Sequence, residues 1–298
     1  MTGPGDVAVD SPDRVVAVVA AAGSGTRLGE VLPKAFVEVA GRSILERCLD
    51  GLAASAAVGH TVVTVSTDMA DHANALVDNQ IGLWAPMGVS VVLGGTDRAD
   101  SVRAGLEAAR GRFPGTGDDP DNPDDHDGQD AGTVGVLVAV HDAARCLTPP
   151  EMIRATIATA AEGVAEGTWA GVVPVVPVTD TVKVVETEPG GALDGAEVIR
   201  STPQRRTLRA AQTPQVFALD RLLAANRMQQ AREELDSAHP TGEPPSALAP
   251  VDVTDDSSLM EMAGETVVAV AGDPQAFKIT LPEDLARAHR LVGDGRTA

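Results

Sequence analysis

The sequence has no tyrosine, only four phenylalanines and only two tryptophans in 298 residues. A core of ordinary density must then be filled by Val, Ala, Leu and Ile, which favours thin buried strands covered by alanine-rich helices. Cysteine is equally scarce. Cys48 and Cys146 form neither a disulfide framework nor a metal-ligand spacing, so both are expected as reduced thiols of a cytoplasmic protein. No apolar run reaches the roughly 20 residues that a membrane span requires, so no membrane partner is expected. The run Val15–Ala22 imitates the apolar part of a signal peptide, but Asp6, Asp10 and Asp13 precede it where such peptides carry positive charge. A buried first strand is the better reading. Basic residues are also short: 23 Lys and Arg face 43 Asp and Glu, a formal charge of −20. A nucleic-acid binder would carry a basic face, so that class is set aside. The balance looks unfavourable for any anionic ligand. Seven of the acids, however, are Asp residues between Asp118 and Asp130, and a local cluster of Arg and Lys outweighs net charge at a site.

What is present is a regular alternation. Val15–Ala21 is a continuous β-branched and alanine run, as in strands buried on both faces. A glycine-rich loop follows at Ala22–Gly29. Ser43–Ala57 has helical periodicity, Thr61–Ser66 reads as a strand, Ala70–Asn79 as a helix and Val89–Leu93 as a strand. Asp100–Arg110 reads as a helix, and Val134–Val140 as a strand ending at His141-Asp142. Pro149 and Pro150 open the next helix, and Gly171–Val176 is another strand. Strands alternating with helices predict α/β architecture with a doubly wound, mostly parallel sheet. Ligands of such sheets sit beyond the carboxyl ends of the strands, where the loops Ala22–Gly29, Gly94–Ser101 and His141–Arg145 fall. Residues 1–13 read as a loose tail and 14–292 as one domain. No second fused enzyme is expected, because the chain stops just after its last helix. The Asp-, Gly- and Pro-rich stretches 113–132 and 236–250 read as disordered insertions. Within Val178–Ala211, two strand-like runs, Thr181–Glu186 and Ala196–Ile199, flank Pro189-Gly190-Gly191. That pattern predicts a projecting β-hairpin arm, too poor in apolar surface to stand alone and so expected to pack on a symmetric partner.

Four motifs carry chemistry. In Ala21-Ala22-Gly23-Ser24-Gly25-Thr26-Arg27-Leu28-Gly29, followed by Pro33-Lys34, the glycines let backbone N–H groups approach phosphates. The spacing is neither a dinucleotide fingerprint nor a Walker loop. It adds two cations, Arg27 and Lys34, which nucleotidyl transfer needs to neutralise phosphate oxygens; a tight turn with solvated cations is the plain alternative. Gly94-Gly95-Thr96-Asp97-Arg98-Ala99-Asp100-Ser101-Val102 can read a base edge through its backbone and Ser101, or can be a helix cap at Asp100 or Ser101. In Val140-His141-Asp142-Ala143-Ala144-Arg145, an acid at a buried strand end can hold Mg2+ through one carboxylate plus substrate phosphates, with Arg145 gripping a second phosphate bidentately. The alternative makes Asp142 a cap and Arg145 its salt-bridge partner. A strand-end His141 is a general base or, more often, structural; a phosphate monoester, with second pKa near 6, needs no base to attack at pH 7. Last, Ala276-Phe277-Lys278-Ile279-Thr280 precedes a helix starting at Pro282, and Lys278 offers another phosphate cation at a strand end.

On these motifs, together with Pro177 to Lys183, Gln212-Thr213-Pro214-Gln215-Val216-Phe217 and Thr254-Asp255-Asp256, the chain resembles the 2-C-methyl-D-erythritol 4-phosphate cytidylyltransferases of the non-mevalonate isoprenoid pathway, from about Val15 to Arg290. The resemblance implies a Rossmann-like nucleotidyltransferase fold. It implies that CTP and a sugar-alcohol phosphate are joined with release of pyrophosphate, with Mg2+ as cofactor. Arg27 and Lys34 would be the catalytic cations at the α-phosphorus. Ala21, Ala22, Gly23, Ser24 and Gly25 would wrap the nucleotide, and Gly95, Thr96 and Ser101 would read cytosine. Asp142 would sit beside Mg2+ and the acceptor phosphate, with Thr213, Thr254 and Lys278 lining the acceptor and α-phosphate region. The family dimerises through its arm, so Thr181 and Arg205 would reach the acceptor of the partner subunit in a homodimer. Three positions depart from the family pattern: Cys146 replaces a proline, Ala276 an asparagine, and Thr96 a frequent aspartate. Ribitol 5-phosphate cytidylyltransferases share nearly all of these motifs, and a non-catalytic nucleotide-binding scaffold on the same fold is the reading from another class.

Overall fold

In the computed structural model of the chain, the described residues are 12–23, 28–30, 32–79, 81–113, 135–187, 195–238 and 255–293. The strands are β1 (Val15–Ala20), β2 (Glu38–Val39), β3 (Arg42–Ser43), β4 (His60–Val65), β5 (Val89–Leu93), β6 (Leu137–Asp142), β7 (Gly171–Pro177), β8 (Val184–Thr187), β9 (Glu197–Ser201), β10 (Arg209–Ala211), β11 (Gln215–Ala218) and β12 (Val267–Ala271). The helices are α1 (Ile44–Ser55), α2 (Ala70–Asn79), α3 (Ile81–Trp84), α4 (Arg98–Arg110), α5 (Pro150–Glu166), α6 (Leu219–Ala238), α7 (Asp256–Met262) and α8 (Pro282–Gly293).

Eight strands form one mixed sheet. β6, β1, β4 and β5 pair in parallel, so their carboxyl ends open on one edge. β11 lies between β6 and β7, antiparallel to both. β10 extends the antiparallel pairing along β7, and β12 pairs with β7 in parallel. Alternation along β1 sorts its side chains between two cores. Val15, Ala17 and Val19 pack with α1, α2, α5 and α8 on one face. Val16 and Val18 pack with α4, α6 and α7 on the other. Helices cover both faces, as the alternating pattern predicts for a doubly wound sheet.

The local signals hold where burial is two-sided. Ser43 caps α1 in a reciprocal box with Glu46: its Oγ accepts from Glu46 N at 3.1 Å and its N–H donates to Glu46 Oε2 at 2.7 Å. Several boundaries differ from the sequence reading. α4 starts at Arg98, because Asp97 rather than Asp100 or Ser101 is the cap; its Oδ1 accepts from Asp100 N at 2.8 Å. His141 and Asp142 belong to β6 itself. Pro12 and Asp13 are not loose: a side chain on Gly59 would meet Pro12 O at 2.5 Å. Phe113 packs on the second core, and α6 continues through residues 236–238. The rest of the proposed tail and of the two insertions, and the hairpin turn at 188–194, lie outside the described residues. Among the described residues, no helix is long and apolar enough to cross a membrane.

The approach of α4 to the sheet is what brings its first turn to the strand ends. Gly105 permits it: a Cβ there would lie 2.4 Å from Val18 Cγ1 and 3.1 Å from Thr64 Cγ2. Gly105→Val gains a few tenths of a kcal/mol in helix propensity but forces α4 off the sheet at a cost of about 1–3 kcal/mol. The expected net result in urea unfolding is a lower midpoint with an unchanged slope; a midpoint equal to wild type contradicts this packing.

Candidate functional site

Beyond the carboxyl ends of β1 and β6 lies a cleft of about 540 Å3, within the range of small-molecule sites. Ala21, Ala22 and Gly23 form one wall as the chain leaves β1, and Lys34 enters from the turn after Pro33. Gly95, Thr96 and Ser101 line it from the neighbouring loop, and Asp142 and Lys278 line it as well. Ser24, Gly25, Arg27 and Thr254 lie outside the described residues.

The Gly94–Ser101 wall is held by its own side chains. Ser101 Oγ donates to Asp97 O at 2.7 Å and accepts from Gly95 N at 3.2 Å. Thr96 Oγ1 donates to Asp100 Oδ2 at 2.6 Å. A Cβ on Gly95 would lie 2.1 Å from that of Asp100, so only glycine fits this fold-back. Both hydroxyls are thus engaged within the loop.

At the opposite end, Asp142 gathers the cations. Arg98 Nε lies 3.1 Å from Oδ1, Lys278 Nζ 2.8 Å from Oδ2, and Arg145 Nε 3.8 Å from Oδ2. Burial pushes the Asp142 carboxyl up, but Arg98, then Lys278 and Arg145, hold it well below the usual carboxylate range. Arg98 has a second partner: its Nη2 lies 2.8 Å from Asp256 Oδ2. Asp256 is more deeply buried, and there burial wins over Arg98, pushing the carboxyl above its usual range.

This arrangement corrects the position of Lys278 and gives Arg145 and Thr213 partners within the protein. Arg145 Nη1 donates to Ala276 O at 2.8 Å and its Nη2 to Ala211 O at 3.1 Å, so it brackets the Lys278 loop and the return of the arm. Thr213 is 4% exposed and lies beneath the cleft, where its Oγ1 accepts from Asp142 N at 3.0 Å and shares a 2.7 Å hydrogen bond with His141 Nδ1. Lys278 is not at a strand end but in the loop before α8, which is pinned by Ile279 N donating to Ala144 O at 2.9 Å. His141, 1% exposed, is structural and does not face the cleft. Thr181 and Arg205 are exposed and line no part of this cleft.

Sequence reasoning missed Arg98, Asp256, Gln212 and Gln215 as site residues. Gln212 pairs with the backbone of Asp273, donating to its O at 2.8 Å and accepting from its N at 3.0 Å. Gln215 donates to Asp255 Oδ2 at 2.7 Å and accepts from Ser257 N at 3.0 Å. Arg98 had a signal: it is a cation in a glycine loop at a strand end, the same pattern that marked Arg27 and Lys34.

The profile of "IspD: 2-C-methyl-D-erythritol 4-phosphate cytidylyltransferase" matches residues 15–113 and 129–294. The chain belongs to this family. As a cytidylyltransferase it is 50% identical to the 2-C-methyl-D-erythritol 4-phosphate cytidylyltransferase of Corynebacterium jeikeium, over 93% of this chain and 97% of that one. It is 44% identical to that of Corynebacterium efficiens, over 94% of both. The crystal structure of 4-diphosphocytidyl-2C-methyl-D-erythritol synthase from Anaerococcus prevotii has the same fold, with TM-score 0.64 and 24% identity over 94% of this chain and 96% of that one.

Among the described residues, the carboxylates that line the cleft already have partners. Both oxygens of Asp142 carry cation contacts, Asp97 caps α4, and the described residues contain no group of three His, Cys, Asp or Glu able to hold a metal ion.

The buried histidines set an acid limit on the cytidylyltransferase. Burial pushes His141 down to about 4, with Asp142 opposing and Arg145 assisting; burial and then Arg112 take His60 to about 4 as well. The unfolded chain takes up these protons near pH 6.5, whereas the folded chain waits until about pH 4. Stability is therefore full above about pH 6.5 and is lost as pH falls toward 4. His141 accounts for roughly 3 kcal/mol across that window. Asp142, whose pKa is depressed, adds its own loss only below about pH 4, and Asp256, pushed up, works in the opposite sense. Urea unfolding between about pH 7.5 and 4.5 is expected to show this loss, with a shallower slope in His60→Gln. Stability independent of pH over that range contradicts it.

Proposed function

We propose that the protein transfers the CMP unit of CTP to 2-C-methyl-D-erythritol 4-phosphate. An oxygen of the acceptor phosphate attacks the α-phosphorus, a new phosphoanhydride bond forms, the bond to the β-phosphate oxygen breaks, and pyrophosphate leaves. The observation that carries this reading is the convergence of a glycine-loop wall, Lys34 and the Asp142–Lys278 pair on one cleft.

The residues divide the work. The backbone from Ala21 to Gly23 approaches the triphosphate, and Gly95 and Thr96, whose N–H groups are taken by Ser101 and Asp100, offer their carbonyls to the cytosine edge. Lys34 and Lys278, with Arg27, stabilise charge developing on the α-phosphate oxygens, where electrostatic help is worth most. No general base is required, because the acceptor phosphate is largely a dianion at pH 7. The field is local: Lys34 and Lys278 line one cleft in a chain of net charge −20. Buried, free Cys48 and Cys146 fit a cytoplasmic enzyme.

The arm supports a homodimer with shared sites. β8 and β9 pair as a hairpin and leave Val182, Val184, Val185 and Ile199 exposed, Ile199 at 59%. A partner subunit would cover them and would receive Thr181 and Arg205 at its acceptor site. Thr254, on the same reading, is expected to bind the acceptor.

Product formation from CTP with a panel of methylerythritol, ribitol and glycerol phosphates tests the reaction. The expected result is efficient turnover of the methylerythritol compound and a much lower kcat/KM for the others; ribitol phosphate as the better acceptor overturns the assignment. Mixing Arg205→Ala with Lys34→Ala chains tests the shared site. In each heterodimer one site collects both lesions and the other neither, so about a quarter of wild-type activity is expected at equal random pairing. Heterodimers without recovered activity place Arg205 in its own subunit's site.

A further inference from the structure

Four charges of alternating sign run in line from the interior to the cleft. Asp256 Oδ2 meets Arg98 Nη2 at 2.8 Å, Arg98 Nε meets Asp142 Oδ1 at 3.1 Å, and Asp142 Oδ2 meets Lys278 Nζ at 2.8 Å. We propose that Asp256 and Arg98 are positioning residues that fix where the Lys278 ammonium stands in the cleft, an inference that rests on the cytidylyl-transfer reading.

The argument follows the degrees of freedom. Lys278 has a long flexible stem and a point charge, so its place is set by its partner Asp142. A carboxylate held at one oxygen can still turn about its own bond; Arg98 on the other oxygen removes that freedom. Arg98 is itself long and 31% exposed, and its second contact, to Asp256, is what stops it from swinging. The planar guanidinium offers two N–H directions at fixed angles, which one ammonium cannot reproduce across two carboxylates. Asp256 is fixed in turn at the start of α7. There Gln215 holds Asp255 Oδ2 at 2.7 Å and Ser257 N at 3.0 Å. Gln215 opens β11, directly beside Val140 of β6, the strand that ends in Asp142. The links therefore close a ring, from β6 through Asp142, Arg98, Asp256 and Gln215 back to β6. The chain is neutral as a whole, so it orders Lys278 without adding net charge to the site.

Asp256→Asn keeps the shape and removes the charge that restrains Arg98. In turnover of CTP and the acceptor, kcat is expected to fall about tenfold or more, the order that misplacing a reacting group costs, with no rise in KM for CTP. In a Lys278→Met background the same change is expected to alter kcat by less than about twofold, because no ammonium remains to misplace. A merely structural role would lower kcat equally in both backgrounds, and that result, or no loss in the wild-type background, overturns the proposal. If Asp256→Asn does not fold, Arg98→Lys replaces it, since it keeps the charge but cannot bridge both carboxylates; the same contrast is expected. A crystal structure of the folded variant gives a readout independent of turnover. Lys278 Nζ is expected to shift in the cleft together with the turned Asp142 carboxylate that it contacts at 2.8 Å in the wild type, and an unmoved Lys278 overturns the proposal. Failure of the wild-type protein to form product refutes the functional reading instead, and shows before any variant is compared.

Discussion

The carboxylate of Asp142 is the constraint on which the site is built. It ends β6 in a place from which water is nearly excluded, with 9% of its side chain exposed. An ionised group there is costly unless it is fully paired. The chain meets that requirement with cations from three separate segments: Arg98 at the start of α4, Arg145 after β6, and Lys278 before α8. Each segment thereby acquires a fixed position at the cleft. The same carboxylate that would be a liability alone converts three loops into one surface.

The support beneath is hydrogen-bonded rather than charged. The run Gln212 to Gln215 holds three segments by its three polar side chains. Gln212 grips Asp273, upstream of Lys278; Thr213 grips His141 and Asp142; Gln215 grips Asp255 and Ser257, flanking Asp256. All three are buried, where a satisfied network is rigid and a broken one is expensive. This explains how a strongly acidic chain presents a cationic cleft: the cations are placed by internal partners, not by an excess of positive charge.

Much of the fold was legible in the sequence, and the reason is two-sided burial. Residues 15–19 and Leu137–Asp142 are buried along their length, so their composition announced them. β10 gave no such signal because Arg209, Ala210 and Ala211 are all exposed, and β12 is only partly buried. The long α6 runs into a stretch whose Asp, Pro and Gly content suggested a loop. For the site, short motifs marked Lys34, Gly95, Asp142 and Lys278 correctly as neighbours. The roles of Arg145 and Thr213 were hidden because both spend their polar atoms on backbone or buried partners that no local pattern specifies. The Arg98–Asp256 pair spans 158 positions, a separation at which sequence spacing carries no information.

If Asp142 organises the cleft, its charge must be felt in segments far from it along the chain. Hydrogen–deuterium exchange of Asp142→Asn against the wild type measures this directly. The account predicts faster exchange in two places at once, around Gly95–Arg98 and around Phe277–Leu281, with the central strands β1 and β4 unchanged. Exchange that stays at wild-type rates in both segments, or rises only in β6 itself, would contradict it.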